Sequence, residues 1–252
     1  MRQKWLRSAL VALALAGAPG GAWGYCRSTT CTKTCVTDDD GCKVDGKKLS
    51  WAGGCVGVSL QRDGTVNLPF EQVSGALDQA LAAWSAVPCA GGGEASFAFA
   101  RLQNVECART ELRADGPNAN VVLFRDNDWR YSGVGNTLGF TTVSFSPAGE
   151  ILGADIEVNG AYNELTVGDD KVAYDLRSIL AHELGHLLGL GHSSDPDATM
   201  VAEYDRGSVA PRDLGDDDVE AICAVYPPGR QAACDPTPRG GFASSCAPAA
   251  AA

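Results

Sequence analysis

Four side chains able to do chemistry stand within one eleven-residue stretch, His182-Glu183-Leu184-Gly185-His186-Leu187-Leu188-Gly189-Leu190-Gly191-His192. His182 and His186 are one helical turn apart, so on a helix both imidazoles leave the same face and can reach one metal ion. Glu183 projects from the neighbouring side of that turn, close enough to take a proton from water held at the ion. Gly189 permits the left-handed backbone that ends a helix, and the turn it makes brings His192 back as a third nitrogen ligand. Three neutral imidazoles with a fourth position open suit one catalytic Zn2+. The chain has 3 histidines and all of them lie here, so a second site built from histidine is excluded.

Such a stretch needs a helix to carry it and a sheet to hold the helix. The pattern predicts the metal helix over Tyr174 to Leu190, with Asp175 near its start, favourable for the helix dipole. Val73, Leu77, Leu81 and Trp84 form one apolar stripe of an earlier helix, opened by Pro69 and ending near Pro88. Strands are predicted at 56–60, 65–68, 96–102, 121–124, 137–146 and 151–158, with 121–124 central because it is continuously apolar. Asp213 to Tyr226 reads as a closing helix. Strands and a helix that precede the metal helix give an α/β (α+β) class with a twisted mixed sheet.

Composition narrows the partners. The net charge is −11 over 252 residues, and −14 without Arg2, Lys4 and Arg7 of the first 24. That argues against nucleic acid and against an anionic membrane surface. Residues 1–24 read as a signal peptide: three basic residues, the apolar run Ala9 to Ala16, and small residues Ala22 and Gly24 at the cleavage positions. Secretion, no membrane contact after cleavage and a monomer are the expectations. The 10 cysteines all follow this segment. Disulfides are therefore expected, with Cys89–Cys107 the favoured pair across a short loop.

Residues 25–55 carry five cysteines and few large apolar groups, so disulfides should hold this segment against the main domain. It could also cover the active site as a propeptide. Asp38, Asp39 and Asp40 read as a solvated turn that could bind calcium. Residues 56–228 form the main domain, and 229–252 a disulfide-bearing low-complexity tail.

The extended histidine motif is the metzincin signature, and the chain resembles the matrixin branch of those metalloproteases from about Val56 to Pro227. Ser193 after the third histidine is similar to many matrixins, and Asp197-Ala198-Thr199-Met200 resembles the Met-turn. Tyr204 matches the tyrosine of the matrixin Met-Tyr-Pro-x-Tyr stretch, although Val201-Ala202 replaces its Tyr-Pro. Leu214-Gly215-Asp216-Asp217-Asp218 resembles the opening of the matrixin C-terminal helix, where an acidic pair, here Asp217 and Asp218, anchors the helix and the mature N-terminus. The resemblance implies a metzincin catalytic domain with an antiparallel edge strand, 137–146, that pairs with an extended protein or peptide substrate. It implies no cysteine latch, since no Pro-Arg-Cys-Gly occurs.

In animal matrixins the neighbourhood of 153–159 is rich in bound metal. Asp155, Glu157 and Asn159 are oxygen ligands that could hold calcium, or one face of a strand turned to solvent. The function implied is a secreted zinc endopeptidase that hydrolyses peptide bonds with water activated by Glu183. The rivals are a catalytically silent secreted module that keeps zinc for stability and an acidic calcium-binding protein. A purely structural zinc has no use for Glu183.

Overall fold

The computed structural model describes residues 24–110, 116–133, 135, 137–203 and 205–249. The signal-like stretch 1–23 and Tyr204 lie outside these residues. Short apolar runs between glycine and proline breaks become five strands: β1 (Cys55–Leu60), β2 (Ala98–Arg101), β3 (Val121–Arg125), β4 (Gly139–Phe145) and β5 (Ile151–Asn159). They form one mixed sheet in the order β2-β1-β3-β5-β4. Neighbours from β2 to β5 are parallel, and β4 runs antiparallel to β5 at the edge. A two-stranded parallel pair, β6 (Leu165–Thr166) and β7 (Tyr174–Asp175), lies ahead of the metal helix.

Among the described residues, three α-helices complete the domain: α1 (Phe70–Ala83), α2 (Leu176–Leu187) and α3 (Asp216–Val225). The stripe Val73, Leu77, Leu81 and Trp84 is buried as its spacing predicts, together with Val122, Ile156, Leu180 and Leu184 from the sheet and α2. The Trp84 indole N–H also donates to the Ala181 carbonyl at 2.8 Å, one residue before His182. The helix stripe and the metal helix are thus joined by a polar contact inside an apolar interface.

The two faces of the sheet are covered differently. Val122, Phe124, Ala154, Ile156 and Val158 face the helices. Val121 and Leu123 face the other way, into a second apolar cluster closed by Ala243, Cys246 and Phe242 of the C-terminal tail. Parallel sheets need cover on both sides, and here the tail supplies part of the second cover.

Four expectations change. Residues 65–68 form turns, not a strand, because the Thr65 hydroxyl and the Val66 amide are both held by the Asp126 carboxylate, at 2.6 and 2.9 Å. The metal helix is shorter than its apolar pattern, since Tyr174 and Asp175 are taken up by β7 and the helix closes at Leu187. Cys89 does not pair with Cys107. It bonds Cys223 on the helical side, whereas Cys107 lies on the tail side and bonds Cys246. The remaining bridges are Cys26–Cys42, Cys31–Cys35 and Cys55–Cys234. The disulfides of the N-terminal segment before Cys55 therefore close within it, and main-chain hydrogen bonds hold it to the domain. Asp38 stands in a turn, its carboxylate accepting from the Cys42 amide at 2.8 Å.

Candidate metal centre

The metal helix starts where the Asp175 carboxylate caps the Ser178 amide at 2.9 Å. Arg212 pairs with the same carboxylate at 2.7 Å and fixes the cap. From this start, α2 presents His182 and His186 on one face, with ring centroids 4.8 Å apart. Gly189 then adopts φ +92°, the left-handed conformation that its motif position calls for. The chain turns back and sets His192 opposite the helix, 5.2 Å from His182 and 4.8 Å from His186 by ring centroid.

All three rings thus converge. One ligand nitrogen from each lies within 4.8 Å of the others, and Nε2 of His186 and of His192 are 3.2 Å apart. Two nitrogens bound tetrahedrally at zinc lengths stand about 3.3 Å apart, so the spacing fits one ion. Two of the outer nitrogens are already committed. Nδ1 of His182 donates to the Thr199 carbonyl at 2.8 Å, and Nδ1 of His186 donates to the Leu190 carbonyl at 3.0 Å. That fixes the tautomer with Nε2 unprotonated and turned to the centre, the usual support of a metal-bound histidine. Burial lowers the pKa of all three rings, helped by the neighbouring imidazoles at His182 and His192, and His192 falls to about 4. Neutral imidazole is the form that binds a metal. The donor set therefore fits zinc.

Glu183 lies beside the rings against the edge strand. The Thr141 hydroxyl donates to Glu183 Oε2 at 2.6 Å. Gly139 leaves the room: a Cβ there would stand 2.5 Å from Glu183 Oε1. Burial raises the Glu183 pKa to about 7, against the opposing pull of the Thr141 hydrogen bond. The group sits in a cleft of about 800 Å³ that is also lined by Ser28, Phe140, Val143, Tyr174, Ile179 and Val201.

The floor of the centre comes from residues 193–201. Met200 is 1 % exposed. Its sulfur fills the space over Gly185 that any larger residue there would need. Ser193 N–H donates to the Met200 carbonyl at 2.8 Å, which closes the Met-turn on the strand leaving His192. The acidic pair of α3 pins this turn. Asp218 accepts from the amides of Thr199, Met200 and Gly215 at 2.6, 3.1 and 2.9 Å, and Asp217 accepts from the Ser193 hydroxyl at 2.7 Å.

Sequence reasoning missed Thr141 and Gly139. Nothing in a strand 42 residues before Glu183 marks a hydrogen bond to it; only the antiparallel edge position brings the two together. The oxygen-rich strand β5 also departs from expectation. Asp155, Glu157 and Asn159 are fully buried, not turned to solvent. Asp155 accepts from the Val121 amide at 2.8 Å, and Asn159 donates to the Thr137 carbonyl at 2.8 Å. Glu157 is held by Arg125, Arg130 and the Tyr131 hydroxyl. Each carboxylate already has cationic or N–H partners inside the protein.

Comparison with known proteins agrees with this architecture. The Peptidase_M10 (matrixin) family model matches residues 56–227. The chain is 31 % identical to human matrix metalloproteinase-20 over 170 residues, 65 % of this chain and 30 % of that protein. It is 38 % identical to metalloendoproteinase 1-MMP of Arabidopsis thaliana over 95 residues, 36 % of this chain and 25 % of the relative. Human matrilysin is 34 % identical over 100 residues, 40 % of this chain and 35 % of the relative. The chain thus spans about a quarter to a third of the length of these relatives. A metzincin histidine triad on a mixed sheet with an antiparallel edge, matched by the matrixin model across more than half of its length, places this chain in the matrixin family of metalloendopeptidases.

Proposed function

We propose that the chain is a secreted zinc-dependent endopeptidase in which His182, His186 and His192 hold one catalytic zinc and Glu183 is the general acid and base. The observation that carries this reading is the convergence of three imidazoles, two of them fixed in tautomer by backbone carbonyls, beside a buried carboxylate in an open cleft. Zinc, when bound, supplies a Lewis acid that acidifies water and polarises a peptide carbonyl.

The chain's own residues do the rest. β4 is the edge of the sheet and borders the cleft, so an extended substrate can add to it as a further strand. Val143, Ile179 and Val201 line the cleft and suit an apolar substrate side chain. Glu183, held by Thr141, takes a proton from the attacking water as its oxygen bonds the carbonyl carbon. The same proton then passes to the leaving amine as the C–N bond breaks. Assistance of this kind is worth about 10²–10⁴-fold. The ten cysteines form five disulfides with none free, which supports an oxidising, extracellular setting.

Zinc-loaded protein and its Glu183→Ala variant should be assayed on an unfolded protein substrate, with metal content measured for both. The reading expects one zinc per chain in each and cleavage by the unaltered chain at least about 10²-fold faster. Equal cleavage by both would remove Glu183 from the mechanism.

A further inference from the structure

The last turn of a helix leaves carbonyls without partners, and at the end of α2 those carbonyls lie between the second and third histidines. The Leu187 carbonyl accepts from the Trp51 indole N–H at 2.8 Å. The Leu188 carbonyl accepts from the Tyr226 hydroxyl at 2.9 Å. The Gly189 carbonyl accepts from the Ser28 amide at 2.9 Å. The Leu190 carbonyl accepts from the Ser28 hydroxyl at 2.9 Å, and it is the same oxygen that orients His186. In return, the Gly191 amide donates to the Cys26 carbonyl at 2.9 Å. Three of four consecutive carbonyls, and the amide just before His192, are therefore satisfied from residues 26–51, a segment ahead of the family match at 56–227.

The fit is also steric. A side chain at Gly189 would meet the Leu49 carbonyl at 2.5 Å, and one at Gly191 would meet Cys26 Cβ at 3.0 Å. The segment is held in this shape by its own Cys26–Cys42 bridge and by Leu49 N–H donating to the Ser28 carbonyl at 2.8 Å. It is anchored further along where Ile151 N–H donates to the Ser50 carbonyl at 2.9 Å. Ser28 is also one of the residues that line the cleft.

We propose that residues 25–51 are a resident clip that positions His192 for the ion, part of the working metal centre and not a cover to be removed. The proposal rests on the zinc reading above. Ser28 and the Cys26–Cys42 bridge act through the Gly189–Gly191 turn and Trp51 acts through the Leu187 carbonyl just before it, so they are positioning groups. Groups that orient metal ligands from behind are worth about 10–100-fold in metal affinity.

The test is zinc affinity by chelator competition on the full chain, with amide exchange of Gly191 followed in parallel. Cys26→Ser with Cys42→Ser should weaken zinc binding by about 10-fold or more and speed exchange at Gly191 while circular dichroism is unchanged. Cys31→Ser with Cys35→Ser, which opens a bridge of the same segment with no contact to the turn, should change neither. Should the first variant not fold, Ser28→Ala still reads the contact, with an expected loss of about threefold or more. Unchanged affinity and exchange in both clip variants, or an equal loss in the Cys31/Cys35 control, would overturn the clip. An unaltered chain that binds no zinc would instead overturn the metal reading itself, and the clip's purpose with it.

Discussion

Two of the stretches whose side chains could hold a metal end in opposite states. On α2 and the turn after it, three imidazoles converge, and the outer nitrogens of His182 and His186 are each held by one backbone carbonyl. On β5, Asp155, Glu157 and Asn159 stand in a row on one strand face, yet both carboxylates are engaged by a backbone amide, by arginines and by a tyrosine hydroxyl. The lesson is that ligand type and spacing describe an offer. Whether the offer stands depends on what the rest of the fold brings to the same atoms. A buried carboxylate with a guanidinium beside it is already neutralised, whereas a neutral imidazole with a fixed tautomer still has its lone pair to give.

The comparison can be broken from either end. The largest effect is expected at the histidine end. His192→Ala leaves two rings on the helix and should lose stoichiometric zinc on dialysis together with peptide cleavage, read by metal analysis and substrate digestion. Retention of one tightly held zinc would mean that the third ring is not a ligand.

A smaller effect is expected on β5. Glu157→Gln leaves Arg125 with its guanidinium mostly buried and without its carboxylate. Removing one partner of a buried pair costs about 3–5 kcal/mol, and the solvent exposure of Arg130 places this case toward the lower end. Thermal unfolding should shift down by about 6–12 °C for a domain of this size, with zinc content unchanged. The smallest effect expected is none at all. A calcium-selective chelator should leave the unfolding temperature where it was, because the β5 carboxylates are satisfied from within the protein. A fall of several degrees would place a calcium ion among them and erase the contrast between the two regions.

The Tyr131 ring gives the β5 network a further consequence. Its hydroxyl is held by Glu157, and its face stacks on Phe140 at 4.1 Å between centroids. Phe140 belongs to the edge strand and lines the cleft. Phe140 stands directly opposite Glu157 on the same face of the sheet, so the ion pair steadies, through Tyr131, an aromatic wall at the edge of the cleft.

The eleven-residue motif could be read from sequence because its geometry is local. A helical turn fixes the first two histidines, and one glycine fixes the return of the third. The apolar stripe of α1 and the central place of β3 were legible for the same reason: burial follows periodicity within each element. The sheet order, the edge position of β4 and the paired covers of its two faces are relations between elements far apart in the chain. Thr141 reaching Glu183, Cys107 meeting Cys246, and Trp51 closing the end of α2 cannot be derived from spacing, since each depends on which strands became neighbours. The sequence by itself determined which atoms could do the chemistry. Only the tertiary structure decided which of them were left free to do it, because hydrogen bonds and ion pairs consume donors and acceptors by proximity in space and not by distance along the chain.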